Sequence, residues 1–393
     1  MSNGWSFETR QIHVGQEPDA TTGARALPIY QTTSFVFPSA EAAAARFALA
    51  ELDPIYTRIG NPTQDAVEQR IASLEGGVGA LLLASGQAAT TFALLNVAEA
   101  GDHIVSSPSI YGGTYNLLAH SLKKLGIEVT FVSDPDNLDE WRAAVRPNTK
   151  AFFGEVVSNP RQDVLDIENI SAIAGVIVDG GKFDYTKDPE KFPGFNTPDE
   201  SYNGLVFGRD LGVGSALGAN LSYILKARVQ LLRDLGSAVA PFNAFLIAQG
   251  IETLSLRVER HVANAVAVAE WLEANENVEA VAYAGLPSSP WFERGRKYGP
   301  NGTGAVIAFD IKGGIDAGKR FVDGLELHSH VANLGDVRSL VIHPASTTHA
   351  QLTPEQQIAS GVRPGLVRLS VGIENVADII ADLEAGFRAA KSA

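Results

Sequence analysis

The chain has 393 residues, of which 45% are apolar and 19% charged, enough for a soluble protein of two or three domains. Its 31 basic and 45 acidic side chains give a formal net charge of −14, which argues against a nucleic-acid or anionic-membrane surface. Cysteine is absent, so disulfides, thiolate metal ligands and a cysteine nucleophile are excluded. The sequence shows no long apolar run and no signal-peptide pattern, and it predicts a cytoplasmic enzyme that acts on small molecules.

The first 55 residues have few long apolar periods and are predicted to form an N-terminal arm. Beyond them, helix and strand patterns alternate. TQDAVEQRIASLEG, AATTFALLNVA, GTYNLLAHSLKKLG and LDEWRAAV predict helices, and GALLLAS, DHIVSSP, EVTFVS and KAFFGEVV predict strands. This alternation predicts a doubly wound α/β sheet in a large domain over residues 56–245.

The last part of the chain, residues 246–393, is predicted to be a smaller α+β domain. One long helical stretch is predicted from about Pro241 to Asn275, where apolar residues recur at helical spacing. After it, AVIAFDI and LVRLSVG predict strands, and VADIIADLEAGFRAAK predicts the closing helix.

In doubly wound sheets the ligand lies at the carboxyl ends of the strands, so the loops there are the candidate site. The loop at Ser85 follows a strand and opens a helix, where backbone amides suit a phosphate, although such turns also serve tight packing. Tyr111 precedes two glycines and could stack on a planar cofactor or be a plain exposed tyrosine. Asn159 could bond a ring substituent or belong to a routine Asn-Pro turn.

Two arginines are further candidates for anion binding. Arg58, in the loop PIYTRIGNPT, suits a phosphate or is simply a solvated surface residue. Arg368 lies in a strand otherwise made of leucine and valine, where an unpaired charge is very costly. A substrate carboxylate and a structural carboxylate satisfy Arg368 equally well.

The segments YTRIGNPT, ASGQAA, SIYGGTYN, GEVVSNP and LVRLSVGIE occur in this order. With them the chain resembles the Cys/Met-metabolism pyridoxal-phosphate (PLP) enzymes of aminotransferase fold type I. Three more segments resemble the O-acetylhomoserine sulfhydrylase branch: KFPGFNTPDESYNGLVF, GLPSSPWFERGRKYGPNGTGAVIAFDIKGG and SLVIHPASTTHAQLTPEQQ. The resemblance runs from Phe7 to Lys391. It implies a large, mainly parallel sheet domain, a smaller C-terminal α+β domain, and PLP as cofactor.

The resemblance also implies a role for each candidate residue. It assigns the cofactor to Tyr56, Arg58, Ser85, Gly86, Gln87, Tyr111 and Asn159. Tyr56 and Arg58 would reach the phosphate from a neighbouring subunit, and Tyr111 would stack on the ring and help to move protons. Asn159 would bond the ring's phenolic oxygen. Ser339 and Arg368 would hold the α-carboxylate of the amino-acid substrate.

Two groups that the family requires are absent from the chain: the aspartate that pairs with the ring nitrogen and the Schiff-base lysine. Family members reach a segment like AGVIVDGGKFDY only after an intervening stretch of one to two βαβ units, at about 30 residues each. The junction lies near residues 174/175. A segment skipped by the numbering is the first explanation, and an internal deletion is the second. Asp179, Lys182 and Lys150 are not expected to replace the missing pair.

The resemblance implies a γ-replacement in the complete enzyme, in which sulfide displaces acetate from O-acetyl-L-homoserine to give homocysteine. It also implies a homodimer with shared sites, commonly doubled to a tetramer. A covalent junction at 174/175 would make the chain inactive. Cystathionine γ-synthase or methionine γ-lyase activity is the nearest alternative, and a non-catalytic oligomeric protein is the alternative from a different class. A metal site is not expected, because no convincing ligand set accompanies His328, His330, His343 and His349.

Overall fold

The computed structural model describes residues 4–158, 162, 164, 176–350 and 352–391. Asn159 and the junction at residues 174/175 lie outside the described residues. The described strands are β1 (Gly79–Leu81), β2 (His103–Ser106), β3 (Glu128–Phe131), β4 (Thr149–Phe153), β5 (Ile177–Asp179), β6 (Val278–Ala282), β7 (Val306–Ile311), β8 (Ser329–His330), β9 (Leu340–Ile342) and β10 (Leu366–Ser370).

The helices agree with the periodicity of the sequence, and π-helical turns at Leu117–Ser121 and Ala227–Leu232 join some of them. The described α-helices are α1 (Phe7–His13), α2 (Ala40–Phe47), α3 (Pro62–Glu75), α4 (Gly86–Leu95), α5 (Gly112–Asn116), α6 (Leu122–Lys124), α7 (Leu138–Ala144), α8 (Pro193–Asn196), α9 (Phe207–Asp210), α10 (Ser222–Lys226), α11 (Arg233–Leu235), α12 (Pro241–Ile251), α13 (Leu254–Glu273), α14 (Phe292–Tyr298), α15 (Gly314–Asp323), α16 (Pro354–Ala359) and α17 (Val376–Lys391).

One helix prediction is wrong in its continuity. The stretch from Pro241 to Asn275 is two helices, α12 and α13, separated at Glu252 and Thr253. A glycine at position 250 and a β-branched threonine at 253 both lower helix propensity within four residues, which favours a break there. The predicted domain boundary at 245/246 stays a prediction, and it falls within α12.

The C-terminal part contains a five-stranded sheet in the order β6-β7-β10-β9-β8, with one parallel pair, β8 and β9. Helices α13, α15 and α17 cover it through an apolar cluster that includes Phe309, Phe321 and Phe387. β10 is a central strand, and its Arg368 lies opposite Ala308 on β7 and Ile342 on β9. The sheet therefore holds Arg368 on a rigid element.

The large domain contains a parallel sheet of three described strands in the order β3-β2-β4. β2 is its central strand, and all four of its residues are buried. β1 pairs with β5 instead, antiparallel, with Gly79 opposite Asp179. Helix α4 packs against both groups of strands, because its Phe92 shares a cluster with Leu81 and its Leu94 shares another with Ile104.

No helix within the described residues combines the length and the apolar character needed to cross a bilayer.

Candidate active site

The start of α4, residues 85–87, forms a cradle of backbone amides beyond the carboxyl end of β1. Ser85 is the N-cap, and its hydroxyl accepts a hydrogen bond from the Ala88 amide at 3.1 Å. The amides of Gly86 and Gln87 belong to the first turn, where no intrahelical acceptor exists. Because α4 is ten residues long, these amides also carry the positive end of its dipole. The geometry of residues 85–87 suits an anion, and their role in phosphate binding stays a prediction.

Tyr111 lies beside this cradle. The Gln87 side-chain amide donates to the Gly113 carbonyl at 3.2 Å, which ties the Tyr111 loop to the first turn of α4. The Tyr111 amide donates to Glu155 Oε1 at 2.7 Å. Its ring is half exposed and passes over Gly113, where a Cβ would lie 2.4 Å from the ring's Cε1. Only glycine at position 113 leaves room for the ring in this place.

Arg368 reaches the same region from the C-terminal sheet. Its guanidinium donates to the carbonyls of Ala332 and Asn333 at 2.7 and 3.1 Å. Burial lowers the pKa of Arg368, and the nearby Tyr111 phenol acts in the opposite direction. The two residues therefore lie within electrostatic range of each other, although they come from different sheets.

Ser339 does not have the free hydroxyl expected of a residue that binds a substrate carboxylate. Its hydroxyl donates to Glu374 Oε2 at 3.1 Å and accepts from the Gly372 amide at 2.9 Å, while its own amide donates to Glu374 Oε1 at 2.6 Å. The side chain is fully buried. The Ser339 hydroxyl is thus already hydrogen-bonded to Glu374. Substrate binding by Ser339 stays a prediction.

Tyr56 and Arg58 lie together. The Arg58 guanidinium sits over the Tyr56 ring, 5.4 Å from its centroid, and donates to the carbonyl of Arg233. Arg233 is close in sequence to Ser237, whose carbonyl accepts from the Ala84 amide at 2.7 Å. Within one chain, the pair therefore contacts the segment 233–237, which in turn bonds to the residue before Ser85. A role in a neighbouring subunit stays a prediction.

Two carboxylates were missed by the sequence reasoning. Glu155 holds the Tyr111 amide, and Glu374 holds Ser339. Glu155 follows the apolar strand β4 by two residues, so its position at the carboxyl end of a strand was a readable signal. Glu374 had no such signal, since its partner lies 35 residues away.

A cavity of about 350 Å³ opens near the carboxyl end of β4. It is lined mainly by apolar groups, among them Val157, Tyr298 and Leu334, and it also contacts Ser158. Leu334 follows Asn333, whose carbonyl holds Arg368, so the cavity adjoins the Arg368 loop. A larger cavity of about 740 Å³ lies beside Gly79 and Ala80, at the opposite end of β1. The larger cavity is therefore away from the cradle.

Asp179, Lys182 and Lys150 are the residues considered as replacements for the missing aspartate and lysine. Asp179 and Lys150 lie at the end of the strands opposite the cradle. Asp179 pairs with Gly79 at the start of β1, six residues before Ser85 and therefore at the end of β1 away from the cradle. Lys182 follows Asp179. Lys150 lies at the start of β4 and forms an ion pair with Asp102 at 3.4 Å. That these residues do not replace the missing pair stays a prediction.

The histidines have local partners. His328 Nδ1 lies 2.7 Å from Asp382, and His343 lies 2.8 Å from both the Ser346 hydroxyl and the Pro364 carbonyl. Among the described residues, no group of three or more histidine, cysteine or acidic side chains could hold a metal ion.

Comparison with known proteins divides the chain near the junction at residues 174/175. The family described as "Cys/Met metabolism PLP-dependent enzyme" matches in two parts, residues 8–180 and residues 172–388. The O-acetyl-L-homoserine sulfhydrylase of Corynebacterium glutamicum is 51% identical over 433 residues, covering 98% of this chain and 97% of that protein. The enzyme of the same name from Leptospira meyeri is 47% identical over 433 residues, with the same coverage.

Two solved structures are similar over nearly the whole chain. A putative O-acetylhomoserine (thiol)-lyase from Campylobacter jejuni, which carries N'-pyridoxyl-lysine-5'-monophosphate, has a TM-score of 0.90 and 35% identity, covering 98% of this chain and 100% of that one. A cystathionine γ-lyase from Lactobacillus plantarum, complexed with L-serine, has a TM-score of 0.79 and 30% identity, covering 99% and 100%. With these matches confirming the fold and the resemblance, the chain belongs to the Cys/Met metabolism family of PLP-dependent enzymes.

Proposed function

We propose that the chain carries the framework of an O-acetyl-L-homoserine sulfhydrylase. In this reaction the Cγ–O bond of O-acetyl-L-homoserine breaks, acetate leaves, and sulfide forms the new Cγ–S bond, giving homocysteine. The observation that carries the proposal is the link between the first turn of α4 and the Tyr111 loop, with Arg368 within electrostatic range of the Tyr111 phenol. The names of the relatives support the same substrate.

Each of these groups has a role that its surroundings support. The first-turn amides of α4 would hold the phosphate, and the half-exposed Tyr111 ring would lie against the cofactor ring. Arg368 would orient the substrate α-carboxylate by a paired hydrogen bond from its planar guanidinium. It would have to exchange its bonds to the carbonyls of Ala332 and Asn333 for this purpose.

The residues present fit the phosphate and the ring of PLP, but they do not fit its covalent attachment. When bound, PLP supplies an electron sink for bond cleavage next to the amino group. The segments that carry or adjoin the candidate residues, 84–88, 109–114, 154–158, 332–339 and 366–372, contain no lysine. We therefore expect the 393-residue chain to be inactive alone and assign the reaction to a chain that includes the absent segment.

The missing lysine favours a second candidate, a non-catalytic oligomeric protein that keeps the family's fold. A different reaction on the same framework, of the cystathionine γ-synthase or methionine γ-lyase type, is the alternative within the family. The sulfur compound consumed separates these reactions. The sulfhydrylase uses sulfide, cystathionine γ-synthase uses cysteine, and methionine γ-lyase starts from methionine. We also propose a homodimer, doubled to a tetramer, and a cytoplasmic location.

The test compares the 393-residue chain with a chain in which the corresponding segment of the Corynebacterium glutamicum relative is inserted between Ala174 and Gly175. Both are supplied with PLP, O-acetyl-L-homoserine and sulfide, and homocysteine and acetate are measured. We expect equal amounts of both products from the restored chain and none from the parent. Homocysteine formed by the parent chain would contradict the claim that the reaction requires the lysine of the absent segment. A restored chain that uses cysteine or methionine instead of sulfide would reassign the reaction.

A further inference from the structure

The cavity of about 740 Å³, here called the arm cavity, lies between the N-terminal arm and the large domain. Helices α1 and α2 of the arm line one part of it, and α3, β1 and α10 line another. Its volume is within the range of about 300–1,000 Å³ that is usual for small-molecule sites. It reaches Gly79 at the start of β1, so it is separate from the cradle beyond the other end of that strand.

The wall of the arm cavity is largely aliphatic. Val14 of the arm, Ile59 of the loop before α3, Ile224 of α10 and Val229 all contribute to it. Because apolar surface gains free energy when it leaves water, such a wall favours a ligand with an apolar middle part.

Most of the charged side chains that line the arm cavity are paired with one another. Arg46 lies 2.9 Å from Asp53 and 3.8 Å from Glu51. Arg228 contacts Glu68. These residues need no further partner to balance their charges.

Arg10 is a lining cation without an ion pair among the described residues. Its Nη1 donates to the Ser73 carbonyl near the end of α3. Its Nε is buried and has no hydrogen-bond partner within the described part of the chain. A buried donor without an acceptor is costly, so a ligand oxygen at this place would stabilise Arg10.

Asp65 is the matching lining acid, and it too has no ion pair among the described residues. Burial raises the pKa of Asp65 to about 6, and the nearby Glu68 acts in the same direction against Arg228. Since Arg228 already contacts Glu68, one positive charge serves two carboxylates. An ionised Asp65 therefore favours a cationic group beside it.

The two groups lie toward different ends of α3. Arg10 bonds to Ser73, eight residues after Asp65, which corresponds to about 12 Å along the helix at 1.5 Å per residue. The ammonium and carboxylate of a single amino acid are too close together to reach both. A peptide of three residues, at about 3.3–3.6 Å per residue, spans roughly 10 Å between its ends.

We propose that the arm cavity binds an elongated zwitterion, a short peptide with free ends, whose ammonium pairs with Asp65 and whose carboxylate pairs with Arg10. Apolar side chains of the peptide would lie against the aliphatic wall. The site uses neither PLP nor the segment absent near residues 174/175, so it is independent of the proposed reaction.

The first experiment uses trialanine as the probe and the 393-residue chain as it is. Isothermal titration calorimetry compares trialanine with N-acetyl-trialanine, trialanine amide and alanine. We expect each blocked peptide to bind about tenfold more weakly than trialanine, because each lacks one charged hydrogen bond. Alanine should bind more weakly still. Trialanine that does not bind, or that binds no more tightly than its blocked forms, would overturn the proposal.

Two variants assign the ends of the peptide. Asp65→Asn should weaken trialanine about tenfold and leave N-acetyl-trialanine unchanged, and Arg10→Gln should do the same with trialanine amide as the unaffected peptide. Asp139→Asn, at an exposed carboxylate of α7, should bind as the parent does. Equal losses for free and blocked peptides in either variant would overturn the assigned pairing. The blocked peptides test the same pairs without a substitution, so the result can be read even from a variant that does not fold.

The pH dependence gives an independent readout of the Asp65 end. From pH 7 to 5 the affinity for trialanine should fall several-fold, because Asp65 becomes protonated while both ends of the peptide keep their charges. Asp65→Asn should show no such fall, although it keeps the other charged groups of the cavity, which are Arg10, Arg46, Glu51, Asp53, Glu68 and Arg228. The same pH dependence in both proteins would overturn the role of Asp65.

Discussion

Tyr111 owes its position to a glycine two residues further along the chain. A Cβ on Gly113 would lie 3.0 Å from Cζ of the Tyr111 ring and 2.4 Å from its Cε1, and the second distance is shorter than real Cβ contacts. We therefore expect Gly113→Ala to displace the ring from the α4 cradle. Gly112→Ala is a matched control, because nothing lies within 4 Å of a Cβ there.

The ring signal of Tyr111, assigned with Tyr111→Phe and followed by NMR in protein labelled on tyrosine, reports the displacement. It should shift in Gly113→Ala and stay in place in Gly112→Ala. Because the ring is half exposed and can turn outward, the free energy of unfolding should change by only about 1 kcal/mol. An unshifted signal in Gly113→Ala would contradict the placement of Tyr111.

His328 makes the stability of the chain depend on pH. Burial lowers the pKa of His328, although its hydrogen bond to Asp382 acts in the opposite direction. The unfolded state, with a histidine pKa near 6.5, therefore binds more protons than the folded state as the pH falls below that value. The contribution of His328 to stability is complete above pH 6.5 and is lost in acid, by at most about 1.4 kcal/mol per pH unit.

We expect His328→Gln to show a smaller loss of unfolding free energy than the parent between pH 7.5 and 5.5, measured by urea denaturation. The comparison has to be a difference between proteins. Burial raises the pKa of Asp65 to about 6, so its protonation below that pH has the opposite sign and acts in both proteins. His120→Gln, at an exposed site, controls for the loss of any histidine. A pH dependence unchanged by His328→Gln would count against the buried neutral ring.

At the scale of elements, one buried ion pair joins three segments of the large domain. Arg228, in the turn after α10, contacts Glu68 of α3 and donates to the Ile59 carbonyl at 2.8 Å. Glu68 also accepts from the Leu82 amide at 2.8 Å, just beyond β1. Both side chains are mostly buried, so the removal of the Glu68 charge leaves Arg228 buried without its hydrogen-bonded carboxylate, with Asp65 as the other acidic group that acts on it.

We expect Glu68→Gln to lower the free energy of unfolding by about 3–5 kcal/mol, because Arg228 stays buried and charged. Asp139→Asn breaks an exposed pair with Arg142 in α7 and should change stability little, since surface pairs contribute little. Urea denaturation of both variants checks the contrast. Equal effects would mean that the burial of the Arg228 pair has no consequence.

Local patterns in the sequence were sufficient for most of the elements. The periodicity of α3, α4 and α17 and the apolar runs of β2 and β7 predict them because each pattern is contained within one element. The break between α12 and α13 was missed, because Gly250 and Thr253 alone are weak signals and packing decides whether a helix continues. Single helices and strands were therefore predicted more accurately than the breaks between consecutive helices.

The site was predictable only in part, for a related reason. Ser85 and Tyr111 follow strands directly, so their place at one sheet edge could be inferred from chain order. The hydrogen bond between Ser339 and Glu374 could not be inferred in this way, since it depends on two loops that meet across a sheet. The division of the parallel sheet is a long-range property as well, because strand order is set by pairing between distant segments.

At the scale of the whole molecule, α12 presents an apolar face that the described chain leaves open. Phe242 and Leu246 lie one helical turn apart, and they are 50% and 52% exposed. The opposite side of α12 packs on the core through Ala244 and Ala248. A helix that is apolar on both sides is typical of a position between two surfaces, which agrees with the proposed homodimer.

We expect the parent chain to be a dimer or tetramer by size-exclusion chromatography with light scattering, and the double variant Phe242→Glu/Leu246→Glu to be a monomer. Two buried carboxylates without partners would cost more than an interface of this kind can offset. Val145→Glu, at an exposed apolar residue after α7, should keep the parent mass. Because the substituted side chains face away from the α12 core, the monomer should keep its circular dichroism spectrum, which separates loss of assembly from unfolding. A double variant with the parent mass would place the interface elsewhere, and a monomeric parent would contradict the homodimer itself.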